Sequence, residues 1–176
     1  MRSEDLSKLE SIIFIRHAQS EDRAEFARAH KGRSDSARPL SKVGKKQSKQ
    51  IAHFMKKYLA NPAYKVDKII SSPAKRTLQT IKPLKKRVKI AFETSSKIAP
   101  DCGLKGYLEI LDSLAKCQSV LFVGHQPDIQ SCIAYLTNSA QIQVQKGAII
   151  KLMRKSQTQG LQNCFEIALL LPPENL

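Results

Sequence analysis

Ser11-Ile12-Ile13-Phe14-Ile15-Arg16-His17-Ala18-Gln19-Ser20 is an apolar run of strand length that stops abruptly at an arginine and a histidine. Its β-branched and aromatic residues predict a buried strand, with Arg16 and His17 at the carboxyl end. In open α/β sheets that edge is where ligands bind. A cation beside a histidine there can hold an anion against a nucleophile and, by lowering the ring's pKa, keep it neutral. Read alone, the pair is as readily a loop histidine beside a solvated arginine, the commoner case.

A second histidine shifts that balance. Ser119-Val120-Leu121-Phe122-Val123-Gly124-His125-Gln126-Pro127-Asp128 repeats the pattern of apolar strand, glycine and histidine, followed by a proline suited to the first turn of a helix. Two strand-end histidines in one α/β domain are expected to face the same crevice. Between them, Lys68-Ile69-Ile70-Ser71-Ser72-Pro73-Ala74-Lys75-Arg76-Thr77 predicts a third strand running into a helix, with Ser72 as cap, Pro73 at the first helical position and Arg76 one turn in. Helix starts favour anions, and an arginine adds a two-pronged donor.

In order and rough spacing, Arg16-His17, Ser72-Pro73 with Arg76 and Gln79-Thr80, and Gly124-His125 resemble the histidine phosphatase superfamily, the phosphoglycerate-mutase-like fold. Asp35-Ser36-Ala37-Arg38-Pro39-Leu40-Ser41-Lys42-Val43-Gly44 is similar to the Arg-Pro-Leu-Ser/Thr-x-x-Gly segment of its small branch, the SixA-type protein phosphohistidine phosphatases. The likeness spans residues 12–171. Two features depart from the pattern. Ala18 stands where the family has glycine, and the loop from His17 to the Arg-Pro-Leu segment is longer than usual.

The 176 residues are expected to form a single domain, 1–176, long enough to bury about 70% of the unfolded surface without staples. Thirty Lys and Arg against fifteen Asp and Glu give a net charge of +15, so partners or substrates should be anionic: a phosphate, an acidic protein face or nucleic acid. Cys102, Cys117, Cys132 and Cys164 show no Cys-x-x-Cys pairing, and neither a signal peptide nor an apolar run of membrane-spanning length is visible. A reduced, cytoplasmic protein without a membrane association is expected.

Residues 1–10 read as a flexible tail. Residues 21–38 are polar and read as a loop with one helical turn, either a lid over the phosphate site or a solvated insertion. Residues 41–60 predict a helix with Ile51, Phe54, Met55, Tyr58 and Leu59 on one face and lysines on the other; His53 lies beside the stripe as a surface histidine. The next helix should close before the basic run at 82–89, a solvated face that could steer an acidic partner. Nucleic acid is not expected there, since no aromatic residues alternate with the charges. Residues 91–100 suggest a short strand, and Leu104, Tyr107, Leu108, Leu111 and Leu114 a helix ending near Lys116. Ile129, Cys132, Ile133 and Leu136 mark another helix, and 148–154 with 165–171 a strand pair. These elements add up to α/β, a three-layer α/β/α sandwich whose mainly parallel sheet becomes mixed near its C-terminal strands.

Phosphoryl transfer needs an in-line nucleophile and positive charge spread over the equatorial oxygens. His17 fits as the nucleophile, Arg16 and Arg76 as clamps and His125 as a donor; the resemblance adds Arg38 as a further phosphate-binding residue. It also implies catalysis without metal or cofactor and inorganic phosphate as a product. Larger members carry an acidic proton donor for an alkoxide leaving group, and here Glu21, Glu93 and Asp101 qualify by character only. The gap favours phosphohistidine, whose imidazole leaves easily near neutral pH, on a phosphohistidine-bearing carrier or phosphorelay protein in signal transduction. The competing readings are a small-molecule phosphomonoesterase with the same nucleophile and a non-catalytic phosphate- or nucleic-acid-binding module. A metal hydrolase built on His17, His125 and Asp128 is disfavoured by the converging arginines.

Overall fold

The apolar run at 11–16 forms β1 (Ser11–Arg16) inside a six-stranded sheet, in a computed structural model that describes residues 8–114 and 116–176. The other strands are β2 (Lys68–Ser71), β3 (Ala91–Thr94), β4 (Ser119–Gly124), β5 (Ile149–Arg154) and β6 (Phe165–Leu171), in the order β3-β2-β4-β1-β5-β6. The first four pair in parallel, while β5 runs antiparallel to both β1 and β6. This is the mixed sheet anticipated from the sequence.

Side chains alternate across a strand, so β1 serves two cores at once. Ile13 and Ile15 point to the side covered by α2 (Lys42–Tyr58) and α3 (Lys75–Lys85), where they join Ile51, Met55, Ile81 and Leu84. Ile12 and Phe14 belong to the opposite core, closed by α4 (Gly103–Asp112) and α5 (Asp128–Thr137) through Tyr107, Leu111, Ile129 and Ile133. Three layers result. The remaining helix, α1 (Arg23–Ala29), precedes them in the chain and buries Phe26.

Several boundaries differ from the sequence expectations, each for a physical reason. Residues 21–38 contain more than the single turn expected: the seven-residue α1 forms because the Asp22 carboxylate accepts from the N–H groups of Ala24 and Glu25. α3 is capped neither by Ser72 nor started by Pro73: it begins at Lys75, with Ala74 at the cap position. The Ser72 oxygen accepts from the Ala74 N–H at 3.3 Å, ahead of the helix, and its hydroxyl also lies 2.8 Å from His125 Nε2. α4 ends at Asp112, short of Lys116. Of the tail expected over residues 1–10, residues 1–7 lie outside the described residues, but its end is built into the fold: Leu9 is fully buried, and the Glu10 backbone bonds to Gln118 and Arg154.

The basic run at 82–89 does not stop α3, which continues through Pro83 to Lys85. Proline has no N–H for the carbonyl four residues back, here Gln79. The Ser48 hydroxyl on α2 takes over, lying 3.0 Å from the Gln79 carbonyl and 2.9 Å from that of Thr80. Gly44 allows the start of α2 to come this close to the chain after β1, because a Cβ there would stand 1.8 Å from the Gln19 carbonyl oxygen.

Ser48→Ala should therefore cost about 1 kcal/mol, lowering Tm by roughly 2–4 °C. The loss should shrink in a Pro83→Ala background, where residue 83 regains its own N–H. A double-mutant cycle by thermal melting measures the coupling; a Ser48→Ala loss that is the same in both backgrounds contradicts the compensation.

Candidate active site

Parallel pairing of β1 with β4 sets Arg16 opposite Gly124, so the next residue on each strand is a histidine. The His17 N–H donates to the Gly124 carbonyl, and the two rings lie with centroids 5.3 Å apart. Both histidines are almost completely buried, at 5% and 3% exposure. β2 stops level with them, the Ser72 N–H donating to Val123.

The nitrogens of His17 are distinguished by their surroundings. Nδ1 lies 2.8 Å from the Ala18 carbonyl, which can only accept, so Nδ1 carries the hydrogen and Nε2 keeps its lone pair in the neutral ring. Burial, assisted by the charges of Arg76, Arg16 and Lys146 and opposed by the bond to Ala18, lowers the His17 pKa to about 3. His125 is lowered to about 2, mainly by burial and then by Arg76. His125 Nε2 faces the Ser72 hydroxyl, while its Nδ1 is buried without a partner.

Arg16 is held by Gln126, whose side-chain oxygen lies 2.8 Å from Nη1, and by the Val144 carbonyl at 2.5 Å. Arg76, 4% exposed, donates to the Asp35 carbonyl at 2.9 Å and lies 3.2 Å from the Asp35 carboxylate. On both arginines Nε is buried and unpartnered. Arg38 stands one step further back. Its donors go to the Ser20 hydroxyl, the Glu21 carbonyl and Asp35, 2.8 Å from Nε, so it reaches Arg76 through that carboxylate. Gln79 and Thr80 brace the surrounding loops, accepting from the N–H groups of Leu40 and Ala18 respectively. Ala18, in the glycine's place, is fully buried.

Asp35, Gln126 and Lys146 were not singled out from the sequence. Asp35 precedes Arg38 by three residues, a visible signal; Gln126 simply follows His125; Lys146 arrives on the loop before β5 and has no local signature. Burial and the charges of Arg16 and Arg38 hold Lys146 below its ordinary pKa. Of the acids considered, Glu93 on the edge strand β3 pairs with Lys68 of β2. The Asp128 carboxylate accepts from the N–H groups of Asp101 and Gly103. Among the described residues, no group of three or more His, Cys, Asp or Glu is placed to hold a metal.

A family model, the histidine phosphatase superfamily (branch 1), matches residues 12–99, from β1 to just beyond β3. The chain belongs to the histidine phosphatase superfamily. Solved structures agree in fold. The Agrobacterium tumefaciens protein assigned as phosphohistidine phosphatase SixA is 20% identical with a TM-score of 0.74, covering 94% of this chain and 99% of its own. The protein histidine phosphatase SixA complexed with tungstate is 19% identical (TM-score 0.73; 94% and 98% covered). Alpha-ribazole phosphatase from Shigella flexneri is 13% identical (TM-score 0.67; 93% and 96% covered). A search of curated proteins by sequence gave no match. At such identities the likeness is one of fold, and it makes the phosphoglycerate-mutase-like architecture common to all three.

The depressed pKa values have a direct test. An ordinary histidine titrates near 6.5, whereas rings held to about 3 and about 2 stay neutral throughout the range from pH 5 to 8. In an NMR titration the Cε1–H signals of His17 and His125 should stay flat across that range. Either signal moving with a midpoint between 6 and 7 contradicts the geometry. Because the unfolded chain takes up these protons near pH 6.5 and the native protein does not, both groups should also make stability fall as the pH drops below 6.5.

Proposed function

We propose that this chain is a phosphohistidine phosphatase that removes the phosphoryl group from histidine on a partner protein through a phospho-His17 intermediate. The observation that carries this reading is the set of buried, unpartnered nitrogens on Arg16, Arg76 and His125, gathered around a neutral histidine whose Nε2 lone pair is free. Buried donors are normally satisfied, and phosphate oxygens would satisfy these. The likeness in fold to SixA with bound tungstate, a tetrahedral oxyanion, supports it.

In the proposed reaction His17 Nε2 attacks phosphorus, forming a new P–N bond as the P–N bond to the substrate imidazole breaks. The leaving imidazole departs neutral when its other nitrogen carries a proton. Positive charge that develops on the His17 ring is met by the Ala18 carbonyl at Nδ1. Arg16 and Arg76 hold the equatorial oxygens, and His125 donates from Nδ1 when the Ser72 hydroxyl donates to its Nε2. Arg38 orients Arg76 through Asp35. Water then attacks phospho-His17, releasing inorganic phosphate and restoring the Nε2 lone pair.

The leaving group favours phosphohistidine over an ester. Among the described residues, Asp35 is the carboxylate ion-paired with the site arginines. The hydrogen bond from Arg38, with the charges of Arg38, Arg76 and Arg23, lowers its pKa against the effect of burial. An acid held ionised has no proton for an alkoxide. No helix of the described residues is long and apolar enough to cross a membrane, and the four cysteines are free, which suits a cytoplasmic phosphorelay setting.

Phosphoenzyme trapping tests the reading. The wild type should yield an acid-labile, base-stable phosphoenzyme, and His17→Ala none; undiminished labelling of that variant overturns the assignment. His125→Ala and Arg76→Lys should each slow turnover roughly a hundredfold, the second because a point charge cannot reproduce paired guanidinium contacts. Phosphohistidine should be cleaved well, activated aryl esters weakly and alkyl esters least. Fast cleavage of alkyl phosphates with a flat dependence on leaving-group pKa would favour a phosphomonoesterase, and phosphate binding without turnover a binding module.

A further inference from the structure

The net charge of this protein is concentrated in one part of the chain. Residues 36–92, which hold α2, β2 and α3, carry sixteen of the thirty Lys and Arg and a single carboxylate, Asp67, while the rest balances at fourteen of each sign. Arg38 and Arg76 are buried in the site, but most of the others crowd the outer surface of one layer. Lys45, Lys49, Lys57, Lys82, Lys85 and Arg87 are all exposed. Among the described residues no ion pair joins a lysine of α2 or α3 to a carboxylate, and neither helix contains an acid. On the other side of the sheet, α5 has no base and α4 offsets its Lys105 with Glu109.

This layer is also grooved. Ser48 meets Gln79 and Thr80, and Lys57 shares a hollow with Arg87, so α2 and α3 run in the same direction away from the catalytic edge. A hollow of about 290 Å³ between Lys45, Lys49 and Lys82 begins at Leu40 and Gln79, which brace the site. Lys49 also lines the next hollow, of about 440 Å³, which extends to Lys57 and Arg87. From Lys45 to Lys57 the track is about 18 Å long at 1.5 Å per residue.

We infer that this basic face is the docking surface for an acidic flank of the phosphohistidine-bearing partner, an inference that rests on the proposed function. Like charges crowded without counter-charges destabilise the free protein and attract an external anion. The position of the track, starting beside the residues that brace the site, would let one partner fill the site and the groove together. A nucleic acid strand would need bare rings for stacking, and the rings here are engaged: Phe54 stacks on Tyr58, Tyr58 on Tyr64, and Lys85 covers Phe92 at 3.4 Å. A lipid surface would need protruding apolar side chains, and of the large exposed hydrophobic residues only Val43 belongs to α2 or α3.

The test compares two synthetic phosphohistidine peptides, one flanked by Glu and Asp and one by Gln and Asn, on the wild type and on Lys49→Glu/Lys57→Glu/Arg87→Glu. At low salt the acidic peptide should have a kcat/KM about tenfold higher. That advantage should vanish in the triple variant and at about 0.5 M salt, where charges are screened within a few Å, while hydrolysis of phosphoramidate, a small P–N substrate, stays within about twofold. An advantage that is absent, or that survives charge reversal, overturns the proposal. So does tighter binding of a fluorescent oligothymidylate or of phosphatidylserine vesicles that is lost in the same variant. If neither peptide is dephosphorylated although an aryl phosphate is, the phosphohistidine reading fails. Fluorescence anisotropy of the unphosphorylated acidic peptide then decides the docking face: binding by the wild type but not the triple variant sustains it, and binding by neither overturns it.

Discussion

The pairing of β1 with β4 is the constraint on which the site depends. With Arg16 opposite Gly124, the two histidines leave neighbouring strands at the same level, and the His17 N–H closes the ladder on the Gly124 carbonyl. A slip of one residue would turn every side chain of one strand to the other face. Ile13 and Ile15 would leave the α2–α3 core, and Ile12 and Phe14 the α4–α5 core. Both cores thus penalise the slip, and the apolar packing of the sheet aligns two polar rings that contribute little to it.

Placing several cations around two buried imidazoles is electrostatically costly, and the fold answers with one anion. Asp35 pairs with Arg76, Arg38 and, at 3.5 Å, Arg23. Removing one partner of a buried pair leaves an uncompensated charge, a larger loss than the pair's net gain. Asp35 therefore stabilises the guanidiniums that the site requires, and those guanidiniums keep it ionised. In the proposed reaction this one contact would both support the phosphate clamp and withhold the proton that an ester leaving group needs. The loop at 21–38 has two parts in this respect. Its α1 is solvated except around Phe26, whereas its final turn delivers Asp35 and Arg38 to the site.

Much of this was legible in the sequence because the signals are local. β-Branched runs ending in histidine marked β1 and β4, and apolar spacing marked α2 and α5. What was missed depends on contacts between residues distant in the chain. Ser72 looks like a helix cap, yet its oxygen bonds the Ala74 N–H in a turn before the helix, and its hydroxyl also meets His125, fifty-three residues on. Pro83 looks like a stop until Ser48, on another helix, bonds the carbonyl it leaves open. Gln126 sits in plain view, yet only the path of Arg16 makes it a support. Lys146 reaches the site because the Gly147 N–H bonds to the Arg16 and His17 carbonyls, which no local pattern announces. Asp22 is the exception: its capping geometry is local, but the seven-residue helix it starts has Phe26 as its one large apolar residue and so shows no apolar periodicity.

The same reasoning separates the two uses of positive charge in this protein. Cations that would hold a phosphate have to be few, buried and fixed, because only a desolvated donor aimed at a known point contributes strongly to a transition state. Arg16 and Arg76 meet that requirement, each held by protein acceptors at Nη1 while Nε is left over. Cations that would attract a protein can be numerous, exposed and mobile, because long-range attraction depends on summed charge more than on geometry. The lysines of α2 and α3 meet the second requirement and not the first. The chain can therefore vary its outer lysines with little effect on the buried pair, provided that Ser48, Gly44 and Gln79, which sit at the seam between the two regions, stay in place. In the proposed function, chemistry at phosphorus would thus be carried by the strand ends and the first turn of α3, and specificity for a partner by the outer faces of α2 and α3.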